Sequence, residues 1–307
     1  MKKSAYLILL ILLFSIIQVM AQKNNNPISE NPVISFGLIS DVQYCNCLPG
    51  GERYYNNSLQ KLNDCVNNFN KNHLDFVVNL GDLIDRDFTS YENIFNIFAT
   101  LQAPINHVLG NHDFAVEKKR KSEINKKFGL KKRYYSKKIA NYRFIFLDGN
   151  DISLYSKSKL NYKTWKAARI FRKLKRDGEL NATNWNGGIG LKQKMWLDKT
   201  LKLSNKEGEK VIIFCHFPIG REGSIYNLWN HLELKEIIKK HNNIIAYISG
   251  HDHKGEYNYV EGVHYLTLKG MVETANTNAY AIIEIYSDHI ELKGFGREED
   301  RELTIDN

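Results

Sequence analysis

The sequence predicts an α/β fold built from two stacked, mixed β-sheets flanked by helices. Three observations carry that expectation. Short apolar runs rich in Val, Ile and Phe alternate with amphipathic helical stretches between Val33 and Ser249. From Glu256 onward, strand patterns follow one another with no helix between them. A chain of 307 residues, 43% hydrophobic and 25% charged, supports one large core and argues against general disorder.

Val33 to Ser40 reads as a buried strand. Tyr54 to Asn72 reads as a helix, with Leu59, Leu62, Val66 and Phe69 on one stripe. Leu74 to Leu80 is a second strand and Tyr91 to Leu101 a second helix. Ile105 to Leu109 and Tyr142 to Leu147 are further strands. Gln193 to Leu203 and Leu228 to Lys240 are helical, set around the core strands Val211 to Cys215 and Ile244 to Ser249. The closing strands are Tyr257 to Glu261, His264 to Leu268, Ala279 to Tyr286 and His289 to Gly294. The stretch around 150–190, rich in Lys, Asn and Gly, is the least regular and reads as an insertion or cap over one end of the sheets. The domain itself is expected over 32–300.

The N-terminus has different grammar. Lys2 and Lys3 precede an apolar run from Leu7 to Ile17, and Val19-Met20-Ala21 offers a small residue for cleavage. This is the anatomy of a signal peptide over 1–21, too short for a comfortable membrane span, followed by a polar linker over 22–31. The expected localisation is therefore periplasmic or extracellular, with no stable membrane span after cleavage.

The net charge is +9, and much of it lies between Glu117 and Lys138. That run reads as a solvated helix and turn, with electrostatic steering of phosphates as the functional alternative. No aromatic ladder or nucleic-acid module accompanies it, so the expected partner is a small anionic molecule and not a nucleic acid. Of the four cysteines, Cys45 and Cys47 are read as too close to pair with each other, which makes Cys65 the natural partner of one. Cys215 ends an apolar strand and reads as a buried thiol. No cysteine spacing makes a zinc site.

Five core strands end in polar clusters. They are Asp41-Val42-Gln43, Gly81-Asp82-Leu83-Ile84-Asp85, Gly110-Asn111-His112-Asp113, His216, and Gly250-His251-Asp252-His253. In open α/β sheets the carboxyl ends of the strands border the ligand crevice, so the five clusters should converge. Asp41 and Gln43, like His251 and His253, are two apart and point the same way in extended chain. The carboxylate of Asp82 has two oxygens and can bridge two cations. Asn111 offers a neutral oxygen and His216 an imidazole nitrogen. Mixed oxygen and nitrogen donors at a two-metal site suit divalent manganese, iron or zinc better than calcium or magnesium.

This order of motifs resembles the calcineurin-like metallophosphoesterase superfamily, with its D-x-[HQ], GDxxD, GNH[DE], H and GHxH signatures, from about Ser35 to about Gly294. It is most similar to the manganese-dependent ADP-ribose/CDP-alcohol diphosphatases, through FGLISDVQY (36–44), ERYYNNSL (52–59), NWNGGIG (184–190) with QKMWL (193–197), and KGMVETANTNAY (269–280). The resemblance implies a four-layer fold. It also implies one metal held by Asp41, Gln43, Asp82 and His253, and another by Asp82, Asn111, His216 and His251. On that reading His112 donates a proton or hydrogen bond to the leaving phosphate oxygen, with Asp113 holding its ring and Asp85 close by. A turn or helix-cap role is the alternative for both carboxylates.

The implied reaction is cleavage of the phosphoanhydride of ADP-ribose or CDP-alcohols to a nucleoside monophosphate and a phosphorylated sugar or alcohol. Tyr54, Tyr55 and Trp185 are the candidates to stack a base, against core packing as the commoner role of such rings, and Arg53 is the candidate to pair a phosphate, against a plain surface arginine. Two departures stand out: the segment CNCLPGGE (45–52) is shorter than in animal and plant members, and those relatives look intracellular. The rival readings are a broad phosphodiesterase or phosphomonoesterase of the same fold, and a metal-poor protein-binding scaffold. The scaffold predicts gaps in the donor set, and this sequence has none.

Overall fold

The computed structural model describes residues 31–157 and 161–305. The expected signal peptide and, apart from Asn31, the expected linker lie outside the described residues. No helix among the described residues is long and apolar enough to cross a membrane.

The strands are β1 (Ile34–Ile39), β2 (Phe76–Asn79), β3 (Ile105–His107), β4 (Tyr135–Ile139), β5 (Tyr142–Phe146) and β6 (Lys210–Phe214), then β7 (Ile244–Ser249), β8 (Glu256–Val260), β9 (Val263–Thr267), β10 (Ala279–Ile285), β11 (His289–Gly296) and β12 (Arg301–Thr304). They form two six-stranded sheets, ordered β12-β11-β10-β1-β2-β3 and β4-β5-β6-β7-β9-β8. Both are mixed. β1 runs parallel to β2 and antiparallel to β10, and β6 runs parallel to β5 and β7. Every residue of β1 and of β7 is buried, as expected for central strands covered on both faces.

The helices are α1 (Ser58–Phe69), α2 (Ser90–Phe98), α3 (Ile124–Lys127), α4 (Tyr162–Arg176), α5 (Leu191–Lys206) and α6 (His231–Ile238). The inner faces of the two sheets share one core of Phe36, Phe76, Phe144, Phe146 and Phe214 with many Ile and Leu side chains. Phe36 stacks on Phe76 at 4.8 Å and meets Phe144 edge-on at 5.8 Å. Each such ring, fully withdrawn from water, contributes roughly 1.5–3 kcal/mol. A second cluster lies under α1 and α2 and a third under α5. The expected two stacked sheets flanked by helices are therefore present.

Several boundaries differ from the sequence reading for physical reasons. α1 starts at Ser58 and not at Tyr54, because the Tyr54 N–H is given to Val272 O and the Asn57 amide to Ala275 O. α6 starts at His231 and not at Leu228, because the Leu228 and Trp229 N–H groups go to Pro218 O and Gly187 O. The basic run 117–138 is not simply a solvated helix and turn. It holds the four-residue α3 and most of β4, whose Tyr135 stacks on Phe146 at 4.5 Å. The region around 150–190 holds the 15-residue α4, capped by the Asn161 side chain and packed through Phe171 on Trp229. β12 extends the first sheet past residue 300.

The cysteine expectation is overturned. Cys45 and Cys47 are joined to each other, their Cα atoms 5.2 Å apart. The bend between them brings the two residues within bridging range despite their closeness in sequence. Cys65 is a free, buried thiol on the inner face of α1 beside Leu62 and Val66. Cys215 is free and buried, as expected.

Candidate metal centre

The polar clusters at the strand ends converge. β1 is followed by Asp41 and Gln43, β2 by Asp82, β3 by Asn111, β6 by His216, and β7 by His251 and His253. Four of these, Asp41, Gln43, Asp82 and His251, hold positive φ angles of 51°, 43°, 57° and 73°. Left-handed backbone is costly for residues with a Cβ, and its concentration here marks a conformation imposed by the surrounding fold. Two glycines permit the close approach. A Cβ on Gly110 would fall 2.0 Å from Asp82 Oδ1, and one on Gly250 would fall 2.0 Å from Ser40 Oγ.

The donor atoms fall into two sets that share one oxygen. In the first, Asp41 Oδ1 lies 3.4 Å from His253 Nε2, and the Gln43 amide lies 3.1 Å from the same nitrogen and 3.3 Å from Asp82 Oδ2. In the second, His216 Nε2 lies 3.3 Å from Asp82 Oδ2, 3.2 Å from Asn111 Oδ1 and 3.1 Å from His251 Nδ1. Asp82 Oδ2 belongs to both. All seven side chains are buried.

The residues fit a pair of cations. Asp41 Oδ1 and Gln43 Oε1 are buried without a hydrogen-bond partner. Such orphaned acceptors are costly unless a ligand meets them. For Gln43, exchanging the two ends of its amide turns the orphan oxygen toward the cluster. His216 offers Nδ1 to Leu80 O at 2.9 Å, and His253 offers Nδ1 to Glu273 Oε1 at 2.6 Å, so each ring presents Nε2 to the centre. Burial alone would raise the Asp41 carboxyl, but His253, His216 and Ser40 outweigh it and hold it well below the usual range. Burial pulls His216 down, yet Asp82 and Asp41 lift it to about 9; His253, also pulled down by burial, is lifted to about 9 by Asp41 and Glu273. The pocket thus calls for positive charge. Burial and the neighbouring His216 keep His251 neutral.

The side of this centre opens into a cavity of about 660 Å³ whose wall includes His112, Arg53 and Trp185. His112 donates its backbone N–H to Asp82 Oδ1 at 2.7 Å, and its Nδ1 lies 2.5 Å from Asp85 Oδ1. Burial lowers the His112 imidazole, but Asp82 and Asp85 more than offset this and raise it above its ordinary value. Asp113 does not hold that ring, which corrects the sequence reading. Its Oδ2 accepts from the Gly110 and Asp82 N–H groups at 2.8 and 2.9 Å, and its Oδ1 from Leu83 N–H and Tyr91 OH at 3.1 and 3.0 Å. Its side chain turns under the loop, away from its chain neighbour.

Residues 34–255 match the calcineurin-like phosphoesterase family. The chain belongs to that family. This phosphoesterase is similar over 90% of its length to a zebrafish (Danio rerio) protein named manganese-dependent ADP-ribose/CDP-alcohol diphosphatase, at 31% identity across 99% of that protein. Mouse (Mus musculus) and Arabidopsis thaliana proteins of the same name are each 30% identical, covering 89% and 88% of this chain and 94% and 96% of their own. The crystal structure of a dimetal phosphatase from Danio rerio superposes with a TM-score of 0.82 at 28% identity, over 90% of this chain and 100% of the other. The phosphoesterase is accordingly a metal-dependent phosphohydrolase with the fold the sequence predicts.

Two of the expected base-stacking residues of the phosphoesterase are displaced. Tyr55 is buried against Cys45 and Val272, and neither Tyr54 nor Tyr55 lines the cavity. Their stretch is spent on docking to the 272–275 loop. Arg53 does line it, with Nε 3.8 Å from Glu273 Oε1, and so does the 41% exposed Trp185. Three residues were missed. Glu273 fixes the His253 ring, and Lys61 of α1 holds the loop carrying it through Met271, Glu273 and Thr274 carbonyls. Asn186 Oδ1 lies 2.8 Å from His251 Nε2. Glu273 and Asn186 sit in KGMVETANTNAY and NWNGGIG, so the signal was present in the stretches that carry the resemblance.

Proposed function

We propose that this phosphoesterase hydrolyses the phosphoanhydride of nucleoside diphosphate conjugates of the ADP-ribose and CDP-alcohol type, with two divalent ions, Mn2+ foremost. The observation that carries the reading is the pair of donor sets sharing Asp82 Oδ2 at the base of a cavity that also holds a cationic and an aromatic side chain. The names of the relatives support the substrate class.

Asp41, Gln43, Asp82 and His253 would hold one ion, and Asp82, Asn111, His216 and His251 the other. Bound there, the ions neutralise phosphoryl charge and make water a nucleophile at neutral pH. His112, with Nδ1 engaged by Asp85, has Nε2 left to give a proton to the oxygen that leaves the cleaved phosphoanhydride. The hydrogen bond to Asp85 favours the protonated ring. Arg53 pairs the substrate phosphates and Trp185 offers a face to the base. The basic and apolar N-terminal run supports export of the enzyme to extracellular or periplasmic nucleotides, a reading tested by N-terminal sequencing of protein recovered outside the cytoplasm.

The deciding experiment is a panel of ADP-ribose, CDP-glycerol, cyclic AMP and p-nitrophenyl phosphate, assayed with Mn2+ and after chelation. The expected result is Mn2+-dependent release of AMP and CMP from the first two at the highest kcat/KM. Preference for cyclic AMP or p-nitrophenyl phosphate would replace this reading with a broad phosphodiesterase or phosphomonoesterase.

A further inference from the structure

We infer that Asn186 is a positioning residue that fixes which nitrogen of His251 carries the proton, and that it ties the 150–190 cap to the metal centre. Asn186 is fully buried. Its Nδ2 lies 3.0 Å from Asn181 O, 2.7 Å from Ile225 O and 3.0 Å from Asn227 O. Carbonyl oxygens only accept, so this end of the side chain must be the NH2 group, and the amide has no freedom to turn over. Its oxygen is then the end that faces His251 Nε2 at 2.8 Å. That oxygen also only accepts. Nε2 must therefore donate, and in the neutral ring Nδ1 is left with the lone pair.

This orientation differs from that of the other two rings. His216 and His253 donate from Nδ1, to Leu80 O and Glu273, and present Nε2. His251 does the reverse, and its Nδ1 is the atom 3.1 Å from His216 Nε2. Its backbone is held by an N–H bond to Asp41 Oδ2 at 3.0 Å, and its ring is packed by Phe217 and Tyr226 at 4.7 and 5.8 Å. A ring so placed reaches the donor set through Nδ1 alone, and a proton on that atom would abolish its use as a ligand. The three carbonyls that orient Asn186 come from two segments of chain, near 181 and at 225–227. The tautomer is therefore correct only when those segments are assembled over the site. The use of the Nδ1 lone pair rests on the two-cation reading above; the tautomer itself does not.

The test uses the full chain labelled with 15N-histidine, freed of metal, with the His251 signals assigned by their loss in His251→Gln. Long-range 1H–15N correlation spectra should show wild-type His251 protonated at Nε2, and Asn186→Ala should shift it toward a mixture. Calorimetric titration should show one of two Mn2+ equivalents weakened by about 10–100-fold in Asn186→Ala. Asn161→Ala is the control, since Asn161 Oδ1 accepts the Lys163 N–H at 2.9 Å in the same cap without touching Asn186, its three carbonyl partners or His251, and it should leave both readouts as in wild type. A wild-type proton on Nδ1 would overturn the inference whether or not any variant folds. So would an Asn186→Ala protein with unchanged tautomer and Mn2+ binding, or an Asn161→Ala protein with the same losses. If wild type shows the Nε2 proton but takes up no Mn2+, the tautomer assignment stands and the two-cation reading fails.

Discussion

The ring of His112 rests on Asp85, 27 residues earlier in the chain, and not on Asp113 beside it; Nδ1 and Asp85 Oδ1 are 2.5 Å apart. Asp85 is held in turn by Arg86, whose Nε lies 2.6 Å from Oδ2. The pair fixes the direction of His112 and stabilises its protonated form. Asp85→Asn should lower kcat by about 10–100-fold on the preferred diphosphate, with Mn2+ affinity changed less than about threefold. Steady-state kinetics beside Mn2+ calorimetry checks this, and equal loss of metal would remove Asp85 from the proton-donating unit.

Asp113 should behave as a stability residue. It accepts from three backbone N–H groups and the Tyr91 hydroxyl in a fully buried position. Asp113→Ala leaves those four donors unmet, each at a cost of about 1–3 kcal/mol, so a total loss of at least about 4 kcal/mol is expected in urea unfolding. A loss below about 1 kcal/mol would show that water meets these donors.

The cysteine pairing is read directly by peptide mapping. Cys45 and Cys47 fall in one tryptic peptide, ending at Arg53, while Cys65 falls in the peptide ending at Lys71. Digestion without reduction should give the first peptide two hydrogens light and the second with a free thiol. A cross-linked pair of peptides would contradict the Cys45–Cys47 bond.

His107 makes the fold sensitive to acid. Burial pushes its imidazole down to about 3, among Phe95, Phe98 and Phe128. Between that value and about 6.5 the unfolded chain binds a proton that the folded chain does not. Its contribution is therefore complete above about 6.5 and is lost as pH falls, by about 1.4 kcal/mol per pH unit. Between pH 7.5 and 5.0 the wild type should lose about 2 kcal/mol more than His107→Leu. Parallel urea curves at both pH values decide it; equal losses would mean that His107 titrates normally.

Much of this protein was legible in its sequence. The apolar runs fixed the central strands, because a strand covered on both faces has no room for polar side chains. The donor list was legible for the opposite reason: polar clusters with glycines break those runs abruptly, and the ends of neighbouring strands meet at one edge. Shorter features were lost where tertiary bonds overrode local pattern. The Tyr54–Asn57 stretch reads as helix, but its backbone and side-chain bonds go to the loop at 272–275.

What the sequence determined by itself was the chemistry of the donors and the layered fold that gathers them. Only the tertiary structure decided which atoms meet. It made Asp82 Oδ2 common to both sets, gave His112 to Asp85, turned Tyr55 inward, paired Cys45 with Cys47, and set Asn186 and Glu273 behind two of the histidines. The physical reason is that residue type and spacing encode what a side chain can bind and which way a regular element points it. The partner of a loop side chain depends on backbone turns such as the left-handed Asp41, Asp82 and His251, and on segments far away in the chain that the folded core alone brings within reach.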